Sequence, residues 1–426
     1  MTCRPSLPLS VAILCLVLSS CSKSGSKPNT PPTDTTTVGT MNINCYIPFN
    51  GPQTELIVSE PGGKILLDTI ATNSSSPVIA TLKTNDTLVD VTYIEPATTA
   101  APLANAVTFK SINLSRLSSL GINDYKDYFN YHLGNIPQSQ IIYYNVPSQP
   151  NFYNYSGGIY FTNYPNNEPN GSGADPTDHS IEVTYQNYNG NYAYMLFPQA
   201  GLYNLHLQQN TVDSVDCSHL DTAVQLTFSR PVPFTEISIS STLWGILDTT
   251  DLSKAIGFTD YTQTSTKSGV DYEYAPLPMQ KYEMDYYANY SNSDMVNCYA
   301  YTYTLPTTLP LIQESDFSIA SAQTDNFNVT FPNTKPTFYR VILTNSSLEY
   351  TIYVSPDSST VHPLSFLTNL KSKSLSGATL SGLQLGQFNM SDFNGFNYST
   401  YYSYITNLSA VQAHHVTSIN ALYRNY

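Results

Sequence analysis

The amino-acid sequence predicts an all-β protein, built as two or three tandem β-sandwich domains behind an N-terminal signal segment and a flexible linker. Short runs of alternating apolar and polar residues recur through the chain, separated by turn-forming residues, as in sandwich folds. Tyr is unusually frequent, with 35 copies among 426 residues against a single Trp, and Tyr suits the pleated, half-buried surface of a sheet.

The first residues have the features of an export signal. One charge, Arg4, precedes an apolar run from Leu7 to Leu18. This run is shorter than the about 20 residues that a transmembrane helix requires, and it matches the apolar core of a signal peptide. The run closes in Leu18-Ser19-Ser20-Cys21, which resembles the lipobox of bacterial lipoproteins.

The lipobox resemblance implies that residues 1–20 are a lipoprotein signal peptide, removed on export, and that Cys21 is lipidated on its sulfur. Ser22, in place of an Asp, implies the outer membrane as the destination. No acidic residue follows before Lys27, so the face of the membrane stays open. The alternative is an ordinary secretory signal with an incidental Cys.

Residues 21–40 are rich in Ser, Thr and Pro, which predicts an extended, flexible linker. The first folded unit, residues 41–113, is predicted as a small β-sandwich domain. Strands at Glu55–Ser59 and Lys64–Thr69 flank the turn Pro61-Gly62-Gly63 and predict a hairpin. The stretch 57–66 resembles the carboxypeptidase regulatory-like (transthyretin-like) modules of bacterial surface proteins, which implies a structural or binding unit without catalytic residues.

Residues 114–310 are predicted as a larger, Tyr-rich β-sandwich domain and residues 311–426 as a C-terminal β-rich domain. Leu114 to Leu133 is the best helical candidate, although its apolar spacing is broken. Leu364, Leu367 and Leu370 predict one or two helical turns. Val416 to Tyr423 predicts a closing strand.

The charge balance excludes one class of partner. The net charge is −14 and no basic cluster interrupts it, which argues against nucleic acid, because phosphates need a basic face. The expected partners are therefore the membrane, through the lipid anchor, and a glycan or an envelope protein.

No cofactor or metal is predicted. Cys45, Cys217 and Cys298 remain after processing and lipidation, and their spacing matches no zinc pattern. One disulfide is possible in an oxidising compartment, but three buried, apolar-like thiols are favoured. The polar loop 164–179 carries oxygen-rich side chains, yet it lacks the spacing of a calcium loop, so a solvated loop is favoured there.

No catalytic motif is found, and an enzyme is not favoured. The chain lacks a G-x-S-x-G elbow, an H-E-x-x-H motif and a P-loop. A glycosidase needs two carboxylates flanking a cleft, and the acidic residues are too scattered to single out a pair. The scattered candidates are Glu182, Glu236, Glu273, Glu283 and Asp285.

The tyrosines are the best candidates for a binding surface, because exposed aromatic rings anchor ligands and protein partners. The alternative is that they fill the half-buried rim of the strands. In the last Tyr-rich strand, alternate residues share one face. The candidate surface residues are Tyr160, Tyr286, Tyr299, Tyr301 and Tyr303.

Several triplets of Asp, a hydroxyl residue and an aliphatic residue resemble the O-glycosylation acceptor pattern of one large group of Gram-negative bacteria. The resemblance implies modification at Thr69, Thr87, Ser214 and Thr222.

Together these features predict a lipid-anchored cell-envelope lipoprotein with a non-enzymatic binding or scaffold role. One alternative is a β-rich glycan-active hydrolase, which would place two carboxylates across a Tyr-lined groove. Another is an adhesin or fimbrial-type subunit, which would expose an edge strand for pairing between chains.

Overall fold

The computed structural model confirms the all-β fold: strands form most of the described chain, with two short α-helices and one 3₁₀ turn. It describes residues 37–43, 53–72, 78–99, 101–117, 138–146, 151–152, 181–186, 192–197, 201–207, 209–229, 236–247, 255–263, 269–274, 278–290, 294–305, 316–406 and 417–426. The range from Thr37 to Tyr426 clusters as one compact unit. No helix among these residues is both long and apolar enough to span a bilayer.

The first half of the described chain contains β1 Thr37–Ile43, β2 Gln53–Ser59, β3 Ile65–Thr72, β4 Val78–Thr84, β5 Leu88–Glu95, β6 Ala104–Asn113, β7 Gln138–Tyr144, β8 Asn151–Phe152, β9 Ile181–Gln186, β10 Tyr192–Phe197, β11 Leu202–Leu207, β12 Val212–Asp216 and β13 Asp221–Thr222. The second half contains β14 Val224–Ser229, β15 Glu236–Ile246, β16 Ala255–Gln263, β17 Gly269–Tyr274, β18 Lys281–Tyr290, β19 Asp294–Thr302, β20 Ser318–Gln323, β21 Asn326–Thr330, β22 Phe338–Thr344, β23 Leu348–Val354, β24 Thr360–Val361, α1 Pro363–Leu370, β25 Gln384–Phe393, α2 Tyr398–Ile405 and β26 Ser418–Asn425.

A twelve-stranded sheet dominates the molecule, in the order β16-β15-β18-β19-β26-β25-β22-β23-β6-β5-β2-β3. Its neighbours are antiparallel except for β23 and β6, which are parallel. The sheet joins strands from all three of the predicted ranges 41–113, 114–310 and 311–426. The domain boundaries themselves stay predictions, but the three ranges share backbone hydrogen bonds.

Each face of the large sheet carries its own core, because successive residues of a strand point to opposite faces. One core includes Tyr286, Tyr339 and Phe388, and the small sheet β20-β21-β24 packs on it through Phe327. The opposite core includes Phe109, whose ring meets that of Tyr402 on α2 at 5.2 Å between centroids. The sheet is therefore buried on both sides over its central part.

Three predicted elements are confirmed. The hairpin forms between β2 and β3, with Gly63 at φ +89° in its turn, a conformation that glycine adopts at no steric cost. The helical turns around Leu367 are α1, which buries Leu367 and Leu370. The closing strand is β26, paired between β19 and β25.

The helical candidate Leu114 to Leu133 begins as a 3₁₀ turn at Leu114–Arg116, and the part beyond residue 117 lies outside the described residues. The sequence prediction did not include α2. This helix starts with a capping box, in which the Asn397 side chain accepts from the Thr400 backbone amide and the Thr400 hydroxyl accepts from the Asn397 backbone amide. Such reciprocal bonds satisfy two amides at the helix start.

Candidate functional site

The candidate tyrosines have very different environments. Tyr286 is 0% exposed and Tyr299 is 6% exposed, so both rings belong to the two cores and not to a binding surface. Tyr303 is 77% exposed, and Tyr301 is half-buried. Tyr160 lies outside the described residues. The alternation read from the sequence places Tyr299, Tyr301 and Tyr303 in one row, but burial decreases along that row toward Tyr303.

Four side chains at the end of β18 and β19 form an aromatic ledge, defined as Lys281, Glu283, Tyr301 and Tyr303. Glu283 is opposite Tyr301 in the strand register. The Lys281 ammonium lies 4.1 Å from the Tyr301 ring centroid and 4.7 Å from the Tyr303 ring centroid. An ammonium at this distance is attracted to the ring face, so Lys281 interacts favourably with both rings.

The carboxyl group of Glu283 binds its proton more tightly than an ordinary Glu. Burial of its carboxyl group and the negative charge of Asp285 raise the pKa of Glu283 to about 8. Burial together with the nearby Glu283 and Tyr303 also raises the pKa of Tyr301. A protonated carboxylic acid can donate a hydrogen bond as well as accept one.

The ledge therefore offers an exposed ring face, a cation and several hydroxyl donors and acceptors. Trp244 on β15 is opposite Glu283 in the register and is half-buried, which adds a further aromatic ring behind the ledge. Ring faces stack on apolar surfaces while their hydroxyl groups stay hydrated. This combination suits a neutral, polyhydroxylated ligand.

The two acids near the ledge do not have the arrangement of a hydrolase. Glu283 and Asp285 are two residues apart on β18 and so share one face of one strand. A glycosidase instead places its carboxylates on either side of the scissile bond. The side chains of Glu182, Glu236 and Glu273 are not among those the structure describes.

A cavity of about 370 Å³ opens beside the other end of the large sheet. Its polar lining includes Gln53, Ser347, Lys373, Ser374 and Ser376. Its apolar lining comes from β3, from residues at or next to the ends of β5 and β6, and from the loop after α1. The volume lies at the small end of the range of ligand pockets. No sequence motif indicated this cavity, because its residues are common Ser, Pro and Ala from distant segments.

Glu55 fixes the serine-rich wall of this cavity. Its carboxylate is 0% exposed and accepts bonds from the Ser372 hydroxyl at 2.5 Å and from the backbone amides of Lys373 and Ser374 at 3.0 and 2.8 Å. Burial alone would raise the pKa of Glu55, but these bonds outweigh it and lower the pKa. Glu55 therefore anchors the loop after α1 to strand β2.

Two of the cysteines behave as predicted. Cys217 and Cys298 are buried free thiols, and burial raises the pKa of the two thiols to about 11 and about 12. Cys45 and the lipidation residue Cys21 lie outside the described residues. Within the described part of the chain, no three His, Cys, Asp or Glu side chains are grouped to hold a metal ion.

The four predicted O-glycosylation residues are accessible. Thr87, Ser214 and Thr222 are exposed and Thr69 is half-buried. Thr87 lies in the turn between β4 and β5, while the other three lie on strands β3, β12 and β13. Accessibility is necessary for modification, and the modification itself stays a prediction.

Comparisons with known proteins give little further guidance. No protein-family model matches the chain, and a search of curated proteins finds no match. Among solved structures, the chain is similar, at 7% identity and a TM-score of 0.12, to a candidate adhesin from Bacteroides ovatus, over 60% of this chain and 75% of that one. A TM-score of this size does not establish a shared fold.

Proposed function

We propose that the chain is an outer-membrane lipoprotein whose folded part binds a glycan at the aromatic ledge without altering it. In this proposal Cys21 carries the lipid, and the linker ends at residue 36 instead of the predicted residue 40, because Thr37–Ile43 is strand β1 and pairs with β4. The first strands belong to a regulatory-like module. The two or more acyl chains of a lipidated Cys give stable anchoring, at about 0.8 kcal/mol for each buried methylene.

The observation that carries the binding proposal is the state of Tyr303. Its ring is 77% exposed, yet it is held against the Lys281 ammonium. A Tyr that merely filled the rim of a sheet would bury more of its ring, as Tyr299 does. An exposed aromatic ring beside a second ring and a cation is the kind of surface that anchors ligands and partners.

A glycan-array screen tests this proposal on the full chain in neutral detergent. We expect neutral oligosaccharides to be bound, and Tyr303→Ala to weaken the binding about fivefold, since stacking on one aromatic ring is worth roughly 1 kcal/mol. Tyr144→Ala is the matched control, because Tyr144 is 44% exposed and lies on β7, which belongs to a different sheet from β18 and β19. A blank array, or equal losses in both variants, would refute glycan binding at the ledge.

The anchor has a separate test. Intact-mass measurement of the native protein should show a chain that starts at Cys21 with its acyl groups, and Cys21→Ser should move the protein from the detergent phase to the aqueous phase.

Glycosylation is tested by the same mass spectrum of the native protein, which should show added sugar mass on the accessible acceptor residues Thr87, Ser214 and Thr222. A bare, unprocessed peptide mass would refute both predictions.

One observation favours an adhesin-type role as the second candidate. Strand β3 is the last strand of the large sheet, and its Ile65 and Ile70 are 39% and 45% exposed. Apolar edge strands pair readily with another chain. Ile70→Lys should then abolish association in sedimentation experiments, whereas a chain that stays monomeric at all concentrations would exclude this role between copies.

A further inference from the structure

Arg340 is a largely buried cation without a carboxylate partner in the described part of the chain. It lies on β22, an inner strand of the twelve-stranded sheet, and it is only partly accessible. Its Nη1 donates to the Tyr353 hydroxyl at 3.1 Å. Its Nε is buried and has no hydrogen-bond partner. A desolvated charge paired only with a neutral hydroxyl is costly.

Two other cations of the same sheet have carboxylate partners. Arg424 on β26 binds the buried carboxylate of Asp294 through Nε at 3.0 Å and Nη2 at 2.6 Å. Lys110 on β6 pairs with Asp90, which is 0% exposed. Lys110 and Arg424 each have a carboxylate partner. Arg340 differs from these two because it has none among the described residues.

A second orphaned donor lies beside Arg340. Asn389 on β25 is its partner in the strand register and is 1% exposed. The Asn389 Oδ1 accepts from the Ser391 hydroxyl at 2.9 Å, while its Nδ2 is buried without a partner. Turning this amide would offer Arg340 an oxygen, but it would leave the positive charge uncompensated. An anionic acceptor would receive hydrogen bonds from both donors and would also neutralise the charge of Arg340.

Aromatic rings flank the donor pair. The guanidinium carbon of Arg340 lies 5.7 Å from the Tyr353 ring centroid and 5.9 Å from the Tyr423 ring centroid. Arg340 and both rings are half-buried, so solvent reaches the margin of this cluster, while the two donor atoms lie beneath its surface. A planar guanidinium and an amide suit a carboxylate, and ring faces suit the apolar face of a sugar.

We propose that Arg340 and Asn389 form a binding site for the carboxylate of an acidic sugar, with Tyr353 and Tyr423 beside the sugar ring. This site is separate from the aromatic ledge: Tyr423 is opposite Met295 in the register of β19, eight residues before Tyr303. At about 3.3 Å per residue, the two places are roughly 25 Å apart along the strand.

Isothermal titration of the full chain in neutral detergent with glucuronate, glucose and acetate tests the proposal. We expect glucuronate to bind, glucose not to bind and acetate to bind at least tenfold more weakly. Arg340→Lys should weaken glucuronate binding at least tenfold, because Lys keeps the charge but loses the planar fork. Acetate binding as tightly as glucuronate would refute the sugar, and no binding of either would refute the site.

Asn389→Asp separates this proposal from an effect on folding. The variant places a carboxylate beside Arg340 at nearly constant volume, so we expect a higher melting temperature together with loss of glucuronate binding. Retained glucuronate binding in this variant would overturn the proposal, because a carboxylate at position 389 would occupy the place of the ligand's carboxylate. Tyr303→Ala serves as the control: it should weaken binding at the ledge and leave glucuronate binding unchanged, so the two sites fail independently.

Discussion

At the residue scale, the environment of each side chain decides its role more than its type does. The tyrosines show this clearly. Tyr286 and Tyr303 are both on strands or strand ends of the same sheet, yet one is 0% and the other 77% exposed. Residue type and alternation could place Tyr299, Tyr301 and Tyr303 on one face. The sequence pattern could not show that the residues packed over this face leave Tyr303 exposed, because those residues come from distant segments of the chain.

Glu283 should make stability depend on pH. Its pKa is raised to about 8 in the folded state, above the value of an unfolded Glu, so the folded chain binds the proton more tightly. The stabilisation is complete below about pH 4 and is lost as the pH rises toward 8. Thermal melts at pH 5 and pH 8 should therefore differ less in Glu283→Gln than in the wild type. An unchanged difference would contradict the raised pKa.

Glu55 should show the opposite dependence. Its pKa is lowered by the bonds it accepts from the loop after α1, so its stabilisation is present at neutral pH and is lost under acid. Glu55→Gln should cost about 1–3 kcal/mol in urea unfolding at pH 7, because charged hydrogen bonds to the loop are lost. Glu60→Gln is the control: Glu60 pairs with the exposed Lys64, and such a surface pair contributes less than about 1 kcal/mol.

At the element scale, local patterns predicted the strands and missed one helix. The hairpin of β2 and β3 followed from its turn residues, and α1 followed from the spacing of Leu364, Leu367 and Leu370. Helix α2 did not, because its sequence, Tyr398 to Ile405, is rich in Tyr and Ser. These residues favour strands or turns as readily as helices. The helix is stabilised by its capping box and by the packing of Tyr401 and Tyr402 on the sheet.

The cap of α2 can be tested on its own. Asn397→Ala removes the side chain that accepts from the Thr400 amide at 2.9 Å, and the expected cost is about 1 kcal/mol of unfolding free energy. Asn397→Asp keeps the acceptor and should cost much less. Chemical denaturation of both variants measures the difference, and equal stability of the two would show that the cap does not hold the helix.

At the scale of the whole molecule, the twelve-stranded sheet contains strands from all three ranges that the sequence predicts as separate domains. Strand β26 from the C-terminal range lies between β19 and β25, and β23 pairs with β6. Composition and turn spacing predict strands, but they carry no information on which distant strands become neighbours. The all-β class was therefore predictable, while the order of the strands, the cavity and the Arg340 pair were not.

This sharing of one sheet predicts coupled unfolding. The single Trp, Trp244, lies on β15 in the range 114–310, and Leu422 is 2% exposed on β26 in the C-terminal range. Leu422→Ala should cost about 2–5 kcal/mol and should shift the Trp244 fluorescence transition together with the circular-dichroism transition. A shift in circular dichroism alone would show that the ranges unfold as independent domains.

The central claim is that the molecule binds a glycan at the aromatic ledge and leaves it intact. The most direct measurement is mass spectrometry of a glycan from the array after prolonged incubation with the full chain. We expect the recovered glycan to have its original mass and to be retained by the wild type but not by Tyr303→Ala. Release of shorter saccharides, reduced by Glu283→Gln, would contradict the claim and make the protein a hydrolase.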